Sequence, residues 1–454
     1  MPVAATRQIF LHSFHPLTIP FAFAGRLRDY PALFMQRLLT RSLPGLAGTA
    51  LLLSLTIGAH AAPGDWPQFR GPNRDGASAE TGLLQELPPG GPPLVWKATG
   101  IGVGYSTVSV VGDRIYTIGE DSEVSSVVAL NAADGKKVWS AKLGKAGAPG
   151  QPAFEGPRAT PTVEGDLLAA VSQWGELACY DAAQGKELWR KDYAKDFGGK
   201  RPNWGYAESP LIDGDKLVVT PGGMEGSIVA LNKQTGALIW RSKGFTDAPH
   251  YSSLIVAEIG GVRQYVQLTA ESVIGVAAAD GKVLWQAPRK GRTAVIPTPV
   301  YSDGFVYVTS GYGVGCNLFK ITEAGGKFTA EEVYANKVPS NKTGGVIKLG
   351  GFVYGHADDK GWTCQDFKTG TAKWQSNTPG KGSITYADGR LYLRAEDKGT
   401  VVLIEASPDG YKEHGRFEQP DRSSKTAWPY PVIAHGKLYL RDWDTLLCYD
   451  VKGK

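Results

Sequence analysis

One eleven-residue pattern recurs along the chain: small–x–Asp/Asn–x–x–x–Gly–x–x–x–Trp. It runs from Ala129 to Trp139 ("ALNAADGKKVW"), Cys179 to Trp189, Ala230 to Trp240 and Cys364 to Trp374. Gly275 to Trp285 fits with Ala277 in the acidic place, and two poorer copies end near Tyr334 and Phe417. The Asp or Asn side chain accepts from nearby backbone N–H groups and the Gly takes a positive φ, so the middle of the pattern is a turn. The flanking runs read as strands. The Trp follows the turn, where a large flat side chain can wedge against a neighbouring unit.

A second pattern alternates with the first: apolar strand, turn, apolar strand. It occurs as "TVSVVGDRIYTI", "TPTVEGDLLAA", "SPLIDGDKLVV", "SLIVAEIGGVRQYV", "TPVYSDGFVYV", "GGVIKLGGFVYG", "SITYADGRLYL" and "YPVIAHGKLYL". Each hairpin is followed by one strand–turn–Trp segment, giving four strands per unit and a period of roughly 40–50 residues, the period of propeller blades. Gly is 58 of 454 residues, against a typical ~7%, which suits many turns. The eighth hairpin is followed by "LLCYDVKGK", in which Cys448, Asp450 and Gly453 begin a repeat that no Trp strand completes. Near the other end, Leu94–Val95–Trp96 is a Trp strand with no unit before it. The expected fold is therefore all-β: an eight-bladed β-propeller of four-stranded blades over residues 91–454. Its last blade is closed by this N-terminal strand, which removes exposed sheet edges.

Cys179, Cys364 and Cys448 occupy the small position of the repeat in different units, so they are expected far apart as small core side chains. Cys316 lies outside the register, and no disulfide is expected.

The net charge of +5 belongs mostly to residues 1–61, where five arginines face one aspartate; the rest of the chain carries about +1. Such a body gives no reason to expect a nucleic-acid partner. Residues 35–61 read "MQRLLTRSLPGLAGTALLLSLTIGAHA", with Arg37 and Arg41 before a short apolar core and Ala59–His60–Ala61 as a cleavage signature. The alternative is a membrane anchor, but the core is short for one. The expectation is export, with cleavage near Ala61, to the periplasm or outside the cell, and Met35 as the true start. The mature chain would then carry no transmembrane segment and is expected to be a monomer. Residues 62–90 form an arm, with "DWPQFRGPNRDG" at 65–76 expected to pack on the ring. A lid or partner-docking role is its alternative reading.

No G-x-S-x-G, H-E-x-x-H or phosphate-loop signature occurs, and "GYGVG" at 311–315 reads as a turn. No catalytic residue and no metal ligand is assigned. Fold geometry points instead to the segments that enter each innermost strand, because these line the mouth of a propeller's channel. They bring Tyr105, Arg158, Trp204, Tyr206, Glu208, His250, Arg292, Lys381 and Trp428, with Tyr251 and Lys342 beside them. Cations from several blades, with Glu208 the main acid and aromatics between, suit an anionic, partly flat ligand. The alternative is that these are solvated loops and packing aromatics.

The repeat, quoted as "ALNAADGKKVW", "CYDAAQGKELW", "ALNKQTGALIW" and "CQDFKTGTAKW", resembles the tryptophan-docking repeat of pyrroloquinoline quinone (PQQ) dehydrogenases and of PQQ-like propellers, including BamB-type outer-membrane assembly proteins. The resemblance covers about residues 91–454. It implies the fold more than the function. The dehydrogenases carry two adjacent Cys by the cofactor, and here all four are isolated; the BamB-type proteins carry a lipid-acceptor Cys, which is absent here. Two functions follow. One is a binding or scaffold propeller of the cell envelope, with an envelope protein or an anionic small molecule as partner. The other is a PQQ-dependent oxidoreductase using Ca²⁺, in which Arg158, Arg292 and Lys381 would meet the cofactor's carboxylates and Trp204 or Trp428 would stack on its rings.

Overall fold

In each repeat, the small residue and the Trp face each other across two antiparallel strands. Ala129 opposes Trp139, Cys179 opposes Trp189, Ala230 opposes Trp240 and Cys364 opposes Trp374. A larger side chain there would meet the indole, so the position is small. In this computed structural model, which describes residues 62–453 except Asp359, the repeats build eight separate four-stranded antiparallel sheets. The sheets are the blades of a propeller: residues 109–145, 162–192, 211–241, 255–288, 300–336, 347–376 and 382–417 for blades 1 to 7. Blade 8 comprises Val432–Ala434, Lys437–Asp442 and Thr445–Asp450, with Leu94–Ala98 as its outermost strand. Trp96 lies opposite Cys448, the same small–Trp pairing as elsewhere. The expected leader segment and the start at Met35 lie outside the described residues. A single helical turn, Tyr193–Phe197, interrupts the β structure before blade 3.

Two sets of polar contacts join blade to blade. The indole Nε1 of Trp96 donates to Ala132 O (3.0 Å), Trp139 to Ala182 O (3.2 Å), Trp189 to Lys233 O (2.9 Å), Trp240 to Ala278 O (3.2 Å) and Trp374 to Ser407 O (2.8 Å). Each acceptor is in the turn of the next blade. The indole lies on that turn's Gly: a Cβ on Gly135 would come 2.6 Å from the Trp96 ring. Tyr334, in one of the poorer copies, keeps the contact through its hydroxyl to Phe367 O (2.9 Å). Trp285 is the exception and donates to Gln264 of its own blade. The next blade replaces the short repeat turn with the long hairpin Gly315–Ala324 and Lys327–Asn336, so it offers no such acceptor. On the inner side, hydroxyls of innermost segments donate to the carbonyl of a Pro entering the next blade. Thr162 bonds Pro210 (2.6 Å), Ser252 bonds Pro297 (3.0 Å) and Thr385 bonds Pro431 (2.6 Å). Proline has no N–H to give to a ladder, so it is tolerated in these entering positions ahead of the innermost strand. The four cysteines are buried free thiols.

Candidate functional site

The connections that enter innermost strands and those that join the two middle strands of a blade emerge at the same end of the ring. Together they line a cavity of about 210 Å³ at the channel mouth. One half of its wall is aromatic. Trp428 packs on Tyr105 (4.4 Å between ring centres) and on Phe154 (5.4 Å); Phe154 meets Trp204 edge-on (6.4 Å), and Trp204 meets Tyr251 (6.1 Å). These residues enter blades 8, 1, 2, 3 and 4, so the aromatics form a continuous arc. The other half, from blades 5 to 7, carries Tyr312, Lys342, Thr343, Lys381 and Glu396.

The charges differ in how well they are satisfied. Arg158 lies within the arc, 5.8 Å from the Tyr105 ring, and donates to Phe154 O (2.7 Å) and Trp204 O (3.0 Å). It ties two loops together and meets no carboxylate among the described residues. Lys342 rests its ammonium 5.1 Å from the Tyr312 ring. Lys381 forms an ion pair with Glu396. Burial works against the Lys381 charge, but the bond to Glu396 outweighs it and raises the ammonium's pKa. Burial also raises the Glu396 carboxyl, with Lys381 pulling the other way. Glu396 Oε2 and Thr343 Oγ1 are buried without a protein partner. A cavity wall holding unpaired polar atoms beside an apolar arc is suited to orient a ligand rather than only to fill space.

Five of the nine residues singled out from sequence line this cavity: Tyr105, Arg158, Trp204, Lys381 and Trp428, joined by Tyr251 and Lys342. The structure places the other four elsewhere. Tyr206 is buried, its hydroxyl on Pro221 O (3.0 Å) and its ring edge-on to Tyr193. Glu208 is buried behind the wall, accepting from Thr220 N (2.6 Å), Thr220 Oγ1 (2.8 Å) and Gln267 Nε2 (3.2 Å). His250 uses Nδ1 to accept from Val295 N (3.0 Å). Arg292 is exposed, outside the cavity lining. Tyr312 and Glu396 were missed because they lie on middle-strand connections, which reach the same end of a blade. Phe154 lies on an entering segment and was passed over for its charged neighbours. Phe69 was missed because nothing in a linear arm says that it enters the channel.

The donor set can be tested against a quinone cofactor and its metal. Arg158, Lys342 and Lys381 offer cations to carboxylates, and Trp204 and Trp428 offer flat faces. Among the described residues the one carboxylate that lines the cavity is Glu396, which Lys381 already occupies. No cluster of three or more His, Cys, Asp or Glu side chains suited to a metal ion occurs among the described residues. The cysteines lie inside blades rather than at the cavity. The cations and flat faces would suit an anionic flat molecule, and among the described residues the cavity offers no ligand set for Ca²⁺.

A ring of eight four-stranded blades joined by indole-on-glycine contacts defines a PQQ-like repeat propeller. The chain belongs to the family described as outer membrane protein assembly factor BamB, whose profile matches residues 123–376. Among curated proteins it is 26% identical over 224 residues to the outer membrane protein assembly factor BamB of Alkalilimnicola ehrlichii, covering 46% of this chain and 50% of that one. It is 33% identical over 103 residues to the quinohemoprotein alcohol dehydrogenase ADH IIB of Pseudomonas putida, covering 21% of this chain and 14% of that one. The match thus spans half or less of these relatives' length. Among solved structures, it superposes on the quinohemoprotein alcohol dehydrogenase of Comamonas testosteroni with a TM-score of 0.60 at 14% identity, covering 87% of this chain and 82% of the other. On BamB of Moraxella catarrhalis the TM-score is 0.51 at 14% identity, covering 79% and 98%. These likenesses speak for the fold.

Proposed function

We propose that this chain is an exported binding propeller of the cell envelope that serves outer-membrane protein assembly. The family match over more than half the chain is the observation that carries this reading. The leader-like segment before Ala62 agrees with it, and no helix among the described residues is long and apolar enough to cross a membrane. The mature protein is then a monomer in the periplasm or outside the cell. Tyr105, Arg158, Trp204, Tyr251, Lys342, Lys381 and Trp428 form a mouth for an anionic, partly flat group. The test is a deletion strain. Loss of the protein lowers the folded fraction of outer-membrane β-barrels, read by heat-modifiable gel mobility, and the tagged mature chain starts at Ala62. An unchanged folded fraction would sink the reading.

A second reading is a PQQ-dependent oxidoreductase, favoured by the cation–aromatic cavity and by the local match to ADH IIB. When bound, PQQ would supply two-electron oxidation chemistry; this chain's part would be to hold its carboxylates with Arg158, Lys342 and Lys381. Calorimetric titration with PQQ, with and without Ca²⁺, separates the two. Binding that requires Ca²⁺ and supports dye reduction would favour the dehydrogenase over the scaffold.

A further inference from the structure

The arm, residues 65–78, does not lie on the outside of the ring. It enters at the end opposite the cavity, where Asp65 accepts from Gly112 N (2.8 Å) in the first turn of blade 1 and meets His435 in the equivalent turn of blade 8. It then touches the innermost strands, or the segments entering them, of seven blades. Trp66 pairs with Val110 of blade 1 in both directions (2.8 Å each), and Pro67 O accepts from Val163 N of blade 2 (2.8 Å). Arg74 donates to Ser209 O (3.1 Å) and Pro210 O before blade 3, and to Leu254 O (3.0 Å) before blade 4. Arg70 donates to Gly344 O (2.6 Å) and Val346 O (2.5 Å) before blade 6. Gly76 and Ser78 bracket Tyr386 of blade 7 (2.9 and 2.8 Å), and Phe69 meets Tyr430 before blade 8 edge-on (5.4 Å). Arg70 and Arg74 hold positive φ values of 63° and 57°, a strained conformation for side chains other than Gly. That strain persists because buried charge-assisted bonds fix both residues.

The inner end of this knot reaches the cavity. Phe69 lines it, and Arg70 grips the carbonyl of Gly344, two residues after Lys342 and next to Thr343. We propose that residues 65–78 are an internal stopper that turns the propeller channel into a blind pocket, and that the Phe69 ring sets how deep a flat anionic ligand can seat. The proposal rests on the reading of the mouth as a binding site. Ligand then enters and leaves by one face only. Arg70 is a positioning residue, holding the loop that presents Lys342 and Thr343.

The test uses two aromatic sulfonates of different size, anilinonaphthalene sulfonate (ANS) and its dimer bis-ANS, titrated by fluorescence. Phe69→Ala should favour bis-ANS over ANS at least five-fold relative to wild type. Phe69→Trp should disfavour it, with circular dichroism confirming the intact ring in both. The two substitutions push in opposite directions, so a failure of one to fold leaves the other informative. An unchanged ratio, while Lys342→Ala and Lys381→Ala still weaken ANS, overturns the stopper role and leaves the mouth reading standing. If wild type does not bind ANS, or those lysine variants bind it unchanged, the mouth reading itself fails and the stopper role falls with it.

Discussion

The stopper inside the central channel and the mouth above it are built from the same residue types and use them differently. In the stopper, Arg70 and Arg74 are buried, and their terminal guanidinium nitrogens all donate to backbone carbonyls, of blades 3, 4 and 6 and of Asp75 in the arm itself. At the open mouth, Lys342 has only an aromatic face among the described residues, and Glu396 keeps one oxygen unpaired. Arg158 stands between these extremes, tying two loops while facing the cavity. The difference teaches that an arginine among aromatics is not by itself a binding signature. What separates a strut from a ligand contact is whether its hydrogen-bonding capacity is already used.

The largest effect should come from breaking the strut. Arg74→Met keeps the apolar stem but removes a charged donor and strands the carbonyls of Ser209 and Leu254, while Pro210 O keeps Thr162, so unfolding in urea should show a loss of about 4 kcal/mol. The same change at Arg158, which holds two close carbonyls at a partly open site, should cost about 2 kcal/mol. Equal losses at both positions would erase the distinction between stopper and mouth.

Why the mouth was legible from sequence and the stopper was not follows from periodicity. The blades repeat, so each Trp, each turn Gly and each opposing small residue could be found by spacing alone. The closure of blade 8 by Leu94–Ala98 followed because two incomplete repeats complement each other. The entering segments could be located for the same reason, which brought Tyr105, Arg158, Trp204, Lys381 and Trp428 into view. Direction within those segments could not be read. Glu208 and Tyr206 sit in one of them with Trp204, yet the chain turns them inward to Thr220 and Pro221. The arm has no repeat to set its register. Its route through the channel is fixed by long-range bonds such as Arg70 to Gly344, which have no counterpart in local pattern.

A pH experiment adds a contrast behind the mouth itself, because Glu208 and His356 are perturbed in opposite directions. Burial raises the Glu208 carboxyl to about 7, with the Thr220 bonds and Arg74 pulling it back. The native state therefore holds a proton that the unfolded chain releases. Stability from this group is full below about pH 4.5 and falls as pH rises towards 7. Burial, with Lys381 and Lys342 adding repulsion, lowers His356 to about 4. Its sign is opposite: stability is full above about pH 6.5 and is lost as pH falls towards 4. Each shift is worth about 3 kcal/mol, and the windows overlap, so in wild type the slopes largely cancel. Glu208→Gln should leave stability that climbs between pH 4.5 and 6.5, and His356→Gln should leave stability that declines. Parallel curves for both variants would show that neither group is held as its surroundings demand.

The smallest expected effect on folding is the most informative about the mouth. Lys342 makes no ion pair among the described residues and is not fully buried, so Lys342→Met should change stability by no more than about 0.5 kcal/mol. If it is there to meet an anion, the same variant should bind ANS about five- to ten-fold more weakly, and the loss should shrink as salt is raised. Lys381→Met is the instructive neighbour. It removes the same charge but leaves Glu396 buried without its partner, so it should cost stability as well as affinity. A lysine whose loss moves binding alone, beside one whose loss moves both, would place the boundary between ligand contact and scaffold within a single wall of the cavity. If Lys342→Met instead destabilised the ring as much as Lys381→Met, the mouth would be held by its cations in the way that the stopper is.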